Sequence, residues 1–547
     1  MSRLLNATLG ALPDLMAAQN PDNEALVDLV TGQSLSYADF SRETDQLARG
    51  LIALGLKPGS HLALWGGSTI TWLLTQYAAA KIGAVIVSAD PNADAGQMAY
   101  LLEQSDAETL VAIGGYQNRR FSDIVLQLCP ELASEGGKSP KPRRFPYLKN
   151  LILADRDAPP GFRPWATLKD LGDQVSREAL ARRKEAVKPS DVTLISYTSG
   201  TTGAPKGVMC THYGLINTSL QSALIQEIGP DDRAGLCVPL YHMFGNTCAV
   251  LPQLLEGGAV VLLGQYFETE AALRGLAEGR CTVIYGAPSQ FIALMEQPLF
   301  GRVDTSSLRG GIMGGAPCPL EVMKKVVEVM GVKRVLVGYG QTEASSWITL
   351  TRPDDPLEVR VSTIGRPLDQ VEIKIVDPRT GETVRPGEAG ELCARGFLMA
   401  GYYKMPAATA GAIDAQDWLH TGDLVWLDQD GNYRFTGRIK DMISSGEAEI
   451  SPVEVEEVLY AHPQVMVAAV FGLNDQEGRN RIAAWLKVRA GTDLTEEAVR
   501  DFCLKRLPAA SVPDIIHFTE TFPMTATGKI QKFKMREITL ELLAGKG

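Results

Sequence analysis

No stretch of this 547-residue chain is both long and uncharged enough to cross a bilayer. No signal peptide opens it either, so a cytoplasmic protein is expected, with peripheral membrane contact left open. Positive charge is also in short supply. Lys and Arg number 53 against 64 Asp and Glu, a formal net charge of -11, which excludes nucleic acid as the main partner unless a strong basic patch lies elsewhere. The one short basic run, Lys138, Lys141, Arg143 and Arg144, sits among Pro and Gly and reads as a solvated loop. The eight cysteines never form CxxC. They read as small buried hydrophobes in a reducing compartment, and the spacing suggests no zinc site. Internal repeats and low-complexity tracts are lacking as well.

What remains is a globular composition, 45% hydrophobic and 21% charged, in a chain long enough for two or more domains. Leu4 to Asn20 carries apolar residues at helical spacing, and Pro21 stops it. Helical segments then alternate with short apolar runs at Leu62 to Trp65, Ala84 to Ser88, Thr109 to Ile113 and Leu151 to Ala154. After Val192 to Ile195 the alternation resumes with Ala259 to Leu263, Thr282 to Tyr285 and Arg334 to Val337. This pattern predicts a layered α/β domain with largely parallel sheets. The Gly-, Pro- and Arg-rich stretch from Gly114 to Asn150 reads as an irregular surface excursion. From about Thr363, short β-like pieces such as Glu372 to Val376 and Gly390 to Arg395 suggest a small β-barrel or sandwich. A further boundary near Gly437 to Lys440 precedes a small α+β unit of about a hundred residues.

Against this background, Tyr197 to Val208, YTSGTTGAPKGV, stands out. Three glycines, five hydroxyl side chains and Lys206 follow the apolar run directly. Glycines let backbone N–H groups face an anion, hydroxyls add donors without bulk, and lysine adds a point charge. The stretch is not a Walker A loop, because Pro205 stands where that pattern needs its second glycine. Gly338 to Glu343, GYGQTE, follows an apolar run, which puts it at the carboxyl end of a strand, where open α/β sheets bind ligands. Tyr339 can stack on a purine, Thr342 can donate to a phosphate oxygen, and Glu343 can hold Mg²⁺ on ATP.

These stretches resemble the signature motifs of the adenylate-forming superfamily, which includes acyl- and aryl-CoA synthetases, luciferases and peptide-synthetase adenylation domains. The likeness runs in order along nearly the whole chain. It implies that Thr198, Ser199, Gly200, Thr201, Thr202, Gly203 and Lys206 hold the β- and γ-phosphates of ATP. It also implies that Gly315, Ala316 and Pro317 flank adenine, and that Gly338, Tyr339, Gly340, Thr342 and Glu343 line the same site, with Glu343 as the metal ligand. Asp423 would accept the ribose hydroxyls, Arg438 would contact ribose or phosphate, and Lys440 would be a hinge between residues 1–437 and a mobile domain 438–547. Lys529, in TATGKI, would reach the α-phosphate and the carboxylate. His242, in PLYHMF, would sit beside the acid and gate the pantetheine tunnel. Peptide-synthetase domains usually carry Phe-Asp there, so an amino-acid substrate is not expected.

The chain departs from the family text at Ser445-Gly446-Glu447-Ala448-Glu449-Ile450, where many relatives read Ser-Gly-Gly-Glu-Asn-Ile. Gly446, expected to face coenzyme A, survives. The resulting expectation is an AMP-forming acid:CoA ligase using ATP, Mg²⁺ and coenzyme A. GIMGGAPCP and GELCARG are most like fatty acyl-CoA synthetases, which favours a medium-chain or other aliphatic acid. An aryl acid, carrier-protein loading, a luciferase-like oxygenase and a non-catalytic nucleotide-binding protein are the alternatives, and homodimerisation is left open.

Overall fold

The computed structural model describes residues 3–133, 142–155, 158–198, 204–316, 318–445, 448–474, 480–489, 491–525 and 529–544. Two large, mostly parallel sheets carry the apolar runs anticipated from the sequence. The first has nine strands, at whose centre Arg334–Gln341, Gly310–Gly314, Val283–Gly286, Arg233–Leu236, Ala259–Leu262 and Glu24–Asp28 lie parallel in that order. The second has eight strands and places Val192–Thr198 beside Val85–Ala89, His61–Trp65, Thr109–Ala112 and Asn150–Leu153, also parallel. Strands of this kind are covered on both faces, which is why they read as unbroken apolar runs. The main core lies against both sheets and buries Trp72, Tyr77, Phe40 and Leu220 completely or nearly so.

Helix starts follow from side-chain capping. Ser36 and Asp39 form a reciprocal capping box at Tyr37–Ala53, and Asp94 and Gln97 do so at Ala95–Gln104. Beneath the first of these helices the buried Lys81 ammonium pairs with Asp14 at 2.6 Å and with Asp45, and Lys184 bridges the same two acids. Four helices are thereby tied through one charge cluster.

Three expectations need correction. The helix expected over Leu4 to Asn20 is confined to Leu12–Gln19, preceded by a 3₁₀ turn at Leu9–Ala11. The amides of Leu5 and Leu9 are taken instead by Asn217 Oδ1 at 2.8 Å and His212 Nδ1 at 3.0 Å, so tertiary acceptors outcompete helical ones. The excursion from Gly114 to Asn150 contains ordered structure: a two-stranded hairpin and the helix Phe121–Leu128, whose Phe121 stacks on Trp65 with ring centroids 4.0 Å apart. Phe121, Ile124, Val125 and Leu128 were its helical signal, masked by Gly and Arg around it. Finally, the pieces from 372 onward do not close into a barrel among the described residues. Glu372–Val376, Gly390–Arg395, Leu419–Leu427 and Tyr433–Arg438 form an open antiparallel sheet of four strands. Too few strands are present for the tilt and stagger that closure needs.

Beyond Asp441 the chain builds a separate core. The hairpin Ile443–Ser445 and Ala448–Ile450, the sheet of Val465–Asn474, Asn480–Val488 and Ile515–Phe518, and the helices Pro452–Tyr460 and Glu496–Leu504 bury Ile443, Val455, Val470 and Leu486 together.

Gly311 shows how closely the nine-stranded sheet is built. Its φ is +137°, and a Cβ there would stand 1.8 Å from the Ile284 carbonyl oxygen. Gly311→Ala should therefore cost on the order of 2–4 kcal/mol through strain and overpacking. A thermal unfolding midpoint several degrees below the parent's is the expected result, and an unchanged midpoint would contradict this packing.

Candidate active site

The site begins where the nine-stranded sheet turns back on itself. Strand Arg334–Gln341 runs into the 3₁₀ turn Thr342–Ala344, and Ser346–Leu350 returns antiparallel. Gly340 makes the crossing feasible, since a Cβ there would meet the Ser346 carbonyl oxygen at 1.8 Å. Gly338 backs onto the indole of Trp347 in the same way, at 2.7 Å. Thr342 is buried. The Tyr339 side chain crosses to the four-stranded sheet, where its hydroxyl donates to Asp423 Oδ2 at 2.8 Å and its ring lies 6.2 Å from that of Phe435.

Asp423 owes its position to an irregular register. His420 and Leu424, four residues apart, pair with Cys393 and Glu391, only two apart, so Thr421, Gly422 and Asp423 bulge from the ladder. Three bonds fasten the bulge. The Gly422 amide donates to Glu391 Oε1 at 2.9 Å, the Thr421 hydroxyl donates to the Leu392 carbonyl at 2.7 Å, and the Asp423 amide donates back to Thr421 Oγ1 at 3.2 Å. Gly422 itself has φ +71°, the left-handed conformation glycine adopts at no steric cost. Across the ladder, Arg438 Nε reaches Asp423 Oδ1 at 3.2 Å. The Asp423 side chain is 6% exposed. Burial raises its carboxyl above the usual range, and Arg438, Tyr339, Lys529 and Lys440 all oppose that rise.

Arg438 pairs with this carboxylate, and Lys440 and Lys529 lie within electrostatic reach of it. Arg438 ends a strand, Lys440 lies in the 3₁₀ turn Ile439–Asp441, and Lys529 comes from the far C-terminal unit, where its amide donates to Thr525 Oγ1 at 3.1 Å. Lys529 is exposed to solvent at its surface, yet protein surrounds its ammonium densely, as in an open cleft. That enclosure lowers its ammonium to about 8, with Arg438 and Lys440 adding to the fall and Asp423 and Asp441 resisting it. Burial likewise lowers the imidazole of His242 to about 4, and the charge of Lys529 contributes. His242 is thus neutral near pH 7. Its Nδ1 accepts the Phe244 amide at 3.1 Å, which assigns the proton to Nε2 and leaves an N–H donor. Directly behind it the chain forms a π-helix, Phe244–Val250, a geometry that recurs at functional sites.

A second group forms around Glu343. Tyr402 donates its hydroxyl to Glu343 Oε1 at 2.8 Å, while Lys206 Nζ lies 4.8 Å from the centroid of the Tyr402 ring. Lys206 opens a strand and is the cross-strand partner of Thr198. The two ends of the glycine-rich loop are thereby held together beside a carboxylate. Ser199, Gly200, Thr201, Thr202, Gly203, Pro317 and Gly446 lie outside the described residues. Gly315 and Ala316 follow strand Gly310–Gly314, next to the end of Arg334–Gln341.

Sequence reading missed Tyr402, Glu391 and Asp90. Tyr402 carried only a weak signal, the GYY after a glycine-rich turn. Glu391 sits in a strand with no polar motif around it. Asp90 faces Tyr241, the neighbour of His242, and burial raises its carboxyl.

The chain matches the family AMP-binding enzyme over residues 14–403 and the AMP-binding enzyme C-terminal domain over residues 454–529. It is 40% identical over 543 residues to the putative acyl-CoA synthetase YngI of Bacillus subtilis (strain 168), covering 99% of each chain. It is 35% identical over 527 residues to the mitochondrial medium-chain acyl-CoA ligase ACSF2 of Danio rerio, covering 95% of this chain and 86% of that one. Among solved structures it resembles the anthranilate CoA ligase AuaEII in complex with anthranoyl-AMP, with a TM-score of 0.85, 24% identity and 99% of both chains covered. ATP-bound MatB from Rhodopseudomonas palustris is similar, with a TM-score of 0.84, 24% identity, and 98% of this chain and 100% of that one covered.

The coupling between Lys529 and His242 is measurable without any ligand. Removing the cation in Lys529→Met should raise the His242 pKa from its depressed value, because a second positive charge nearby then costs less. Proton NMR titration of the imidazole Cε1–H reads this directly. A His242 pKa that stays put or falls would separate the two residues.

Proposed function

Because the chain belongs to the AMP-binding enzyme family, we propose that it is an ATP-dependent, AMP-forming acid:CoA ligase acting on a medium-chain or other aliphatic carboxylic acid. The observation that carries this reading is the convergence of Tyr339, Arg438, Lys440 and Lys529 on buried Asp423, with neutral His242 within electrostatic reach of the same lysine. The named similarities to an acyl-CoA synthetase and a medium-chain ligase support the substrate class.

An ionised carboxylate has about four acceptor sites, and Tyr339 and Arg438 occupy one on each oxygen, so Asp423 retains capacity for both ribose hydroxyls. In the first half-reaction a carboxylate oxygen attacks the α-phosphorus of ATP, forming the acyl–phosphate bond as pyrophosphate leaves. Lys529 supplies positive charge where the α-phosphate gains negative charge, and Arg438 adds to the field. His242 holds the acid through Nε2–H without adding charge. Lys206 and Thr198, with the loop between them, cradle the outer phosphates. Glu343, one carboxylate at a strand end, fits Mg²⁺, which is commonly held by one or two carboxylates plus substrate phosphates and would neutralise the phosphate charge. In the second half-reaction coenzyme A thiolate adds to the acyl carbon and AMP departs.

The unit 438–547 rotates between these steps about Lys440. Support comes from the change of core within a few residues: Arg438 ends the four-stranded sheet, whereas Ile443 is already buried in the C-terminal core. Gly446 is the proposed glycine facing coenzyme A.

A panel of straight-chain and aryl acids, with pyrophosphate release and thioester mass both measured, tests the assignment. Thioester formation greatest with aliphatic acids of intermediate length is expected. Equal or greater turnover of aryl acids would move the substrate class, and adenylation with no thioester would remove coenzyme A.

Lys529→Ala should slow acyl-AMP formation by about 10²–10³ while sparing thioester formation from supplied acyl-AMP. Equal losses in both half-reactions would contradict its role. Asp423→Ala should raise the KM for ATP by about tenfold or more, through loss of charge-assisted hydrogen bonds to ribose. Lys440→Pro, with φ fixed near about −65°, should retain an acyl-AMP burst and lose thioester production. Thioester formation at the parent rate would rule out a hinge there.

A further inference from the structure

A cluster of metal-ligating side chains lies outside the chemistry described so far. Glu391 and Cys393 are two residues apart on strand Gly390–Arg395 and so share a face. His420 is the cross-strand partner of Cys393. The imidazole Nδ1 stands 2.8 Å from Glu391 Oε2 and 3.5 Å from Cys393 Sγ, and the three donor atoms all lie within 4.8 Å of one another. Glu391 and Cys393 are buried, and His420 opens the cluster toward solvent. From these contacts we propose that Glu391, Cys393 and His420 form a binding site for a thiophilic divalent cation, zinc being the natural occupant.

Donor chemistry selects the ion. One thiolate, one imidazole and one carboxylate suit Zn²⁺ or Co²⁺ and do not suit Mg²⁺ or Ca²⁺, which take oxygen ligands. With ligand bonds of about 2.0–2.3 Å, tetrahedral donors stand roughly 3–4 Å apart; the 3.5 Å between His420 and Cys393 already fits, and the 2.8 Å between His420 and Glu391 must open slightly. The outer partners fit as well. In the free protein the 2.8 Å contact with the Glu391 carboxylate places the ring proton on His420 Nδ1; binding of the ion moves that proton to Nε2, where Asp414 Oδ2 stands 3.7 Å away, and frees Nδ1 to coordinate. Glu391 Oε1 is held by the Gly422 amide, which orients the carboxylate and leaves Oε2 for the ion. Binding forms a metal–sulfur bond and releases the thiol proton to solvent. Three protein ligands leave the fourth position to water.

The pattern has no CxxC because the ligands come from alternate positions of one strand and from its neighbour. Its place in the fold gives it a consequence, since Glu391 also fastens the bulge that presents Asp423. An ion there would stiffen that bulge.

The full-length protein, stripped with EDTA, incubated with zinc or cobalt sulfate and freed of excess metal by gel filtration, tests the site. One equivalent of either metal per chain is expected, with cobalt giving a thiolate-to-metal charge-transfer band in the near ultraviolet. Cys393→Ser should abolish the band and cut retained metal at least tenfold. His420→Gln does the same and serves as the second variant should the first fail to fold. Retention below a tenth of an equivalent in the parent overturns the proposal. So does retention by the parent that survives unchanged in both variants, which would place the metal on other cysteines.

Discussion

One buried carboxylate organises this protein's site. Asp423 sits where water is nearly excluded, and a charge in that position persists only if paired and hydrogen-bonded. Its partners come from three separately built parts of the chain: Tyr339 from the nine-stranded sheet, Arg438 from the four-stranded sheet and Lys529 from the C-terminal unit. Two of these parts are joined by direct contacts to Asp423, and the third brings a cation within electrostatic reach of it. Cations outnumber acids there, with Arg438, Lys440 and Lys529 facing Asp423 and Asp441. Enclosure is the main cause of the fall at Lys529 and the excess adds to it, and a phosphate chain entering the cleft would relieve that part.

Burial, reinforced by Lys529 alone among these cations, keeps His242 neutral. A neutral N–H donor can orient a carboxylate without holding it as an ion pair, which would lower its nucleophilicity. On the proposed reading, positive charge is instead reserved for the phosphate, whose negative charge grows as the reaction proceeds. Tyr402 likewise fixes the loop's Lys206 beside Glu343, which on the proposed reading extends this logic to the outer phosphates and their magnesium ion.

The parallel strands were legible as unbroken apolar runs, since burial on both faces leaves no room for polar alternation. Within the site, Tyr339, Arg438 and Lys440, from the compact motifs GYGQTE and GRIKD, are the ones the fold brings to Asp423 of TGD. What stayed hidden depends on register or on distant partners. The bulge at Thr421 to Asp423 arises from a mismatch of two residues between strands, which no local pattern announces, and Glu391 matters only because that bulge rests on it. Likewise the N-terminal helix starts late because Asn217 and His212, some two hundred residues away, capture the amides that would have begun it. The expected barrel failed for a related reason: short β pieces specify pairing, whereas closure depends on how many strands there are and how they tilt.

The central claim is that this cleft adenylates a carboxylate before any thiol takes part. Exchange of radiolabelled pyrophosphate into ATP by the unaltered enzyme, in the absence of coenzyme A, tests it most directly. The account predicts exchange that appears only when a carboxylic acid is supplied and proceeds without coenzyme A. Exchange that requires coenzyme A, or none at all while thioester still forms, would contradict an acyl-adenylate intermediate and the role given to the charges around Asp423.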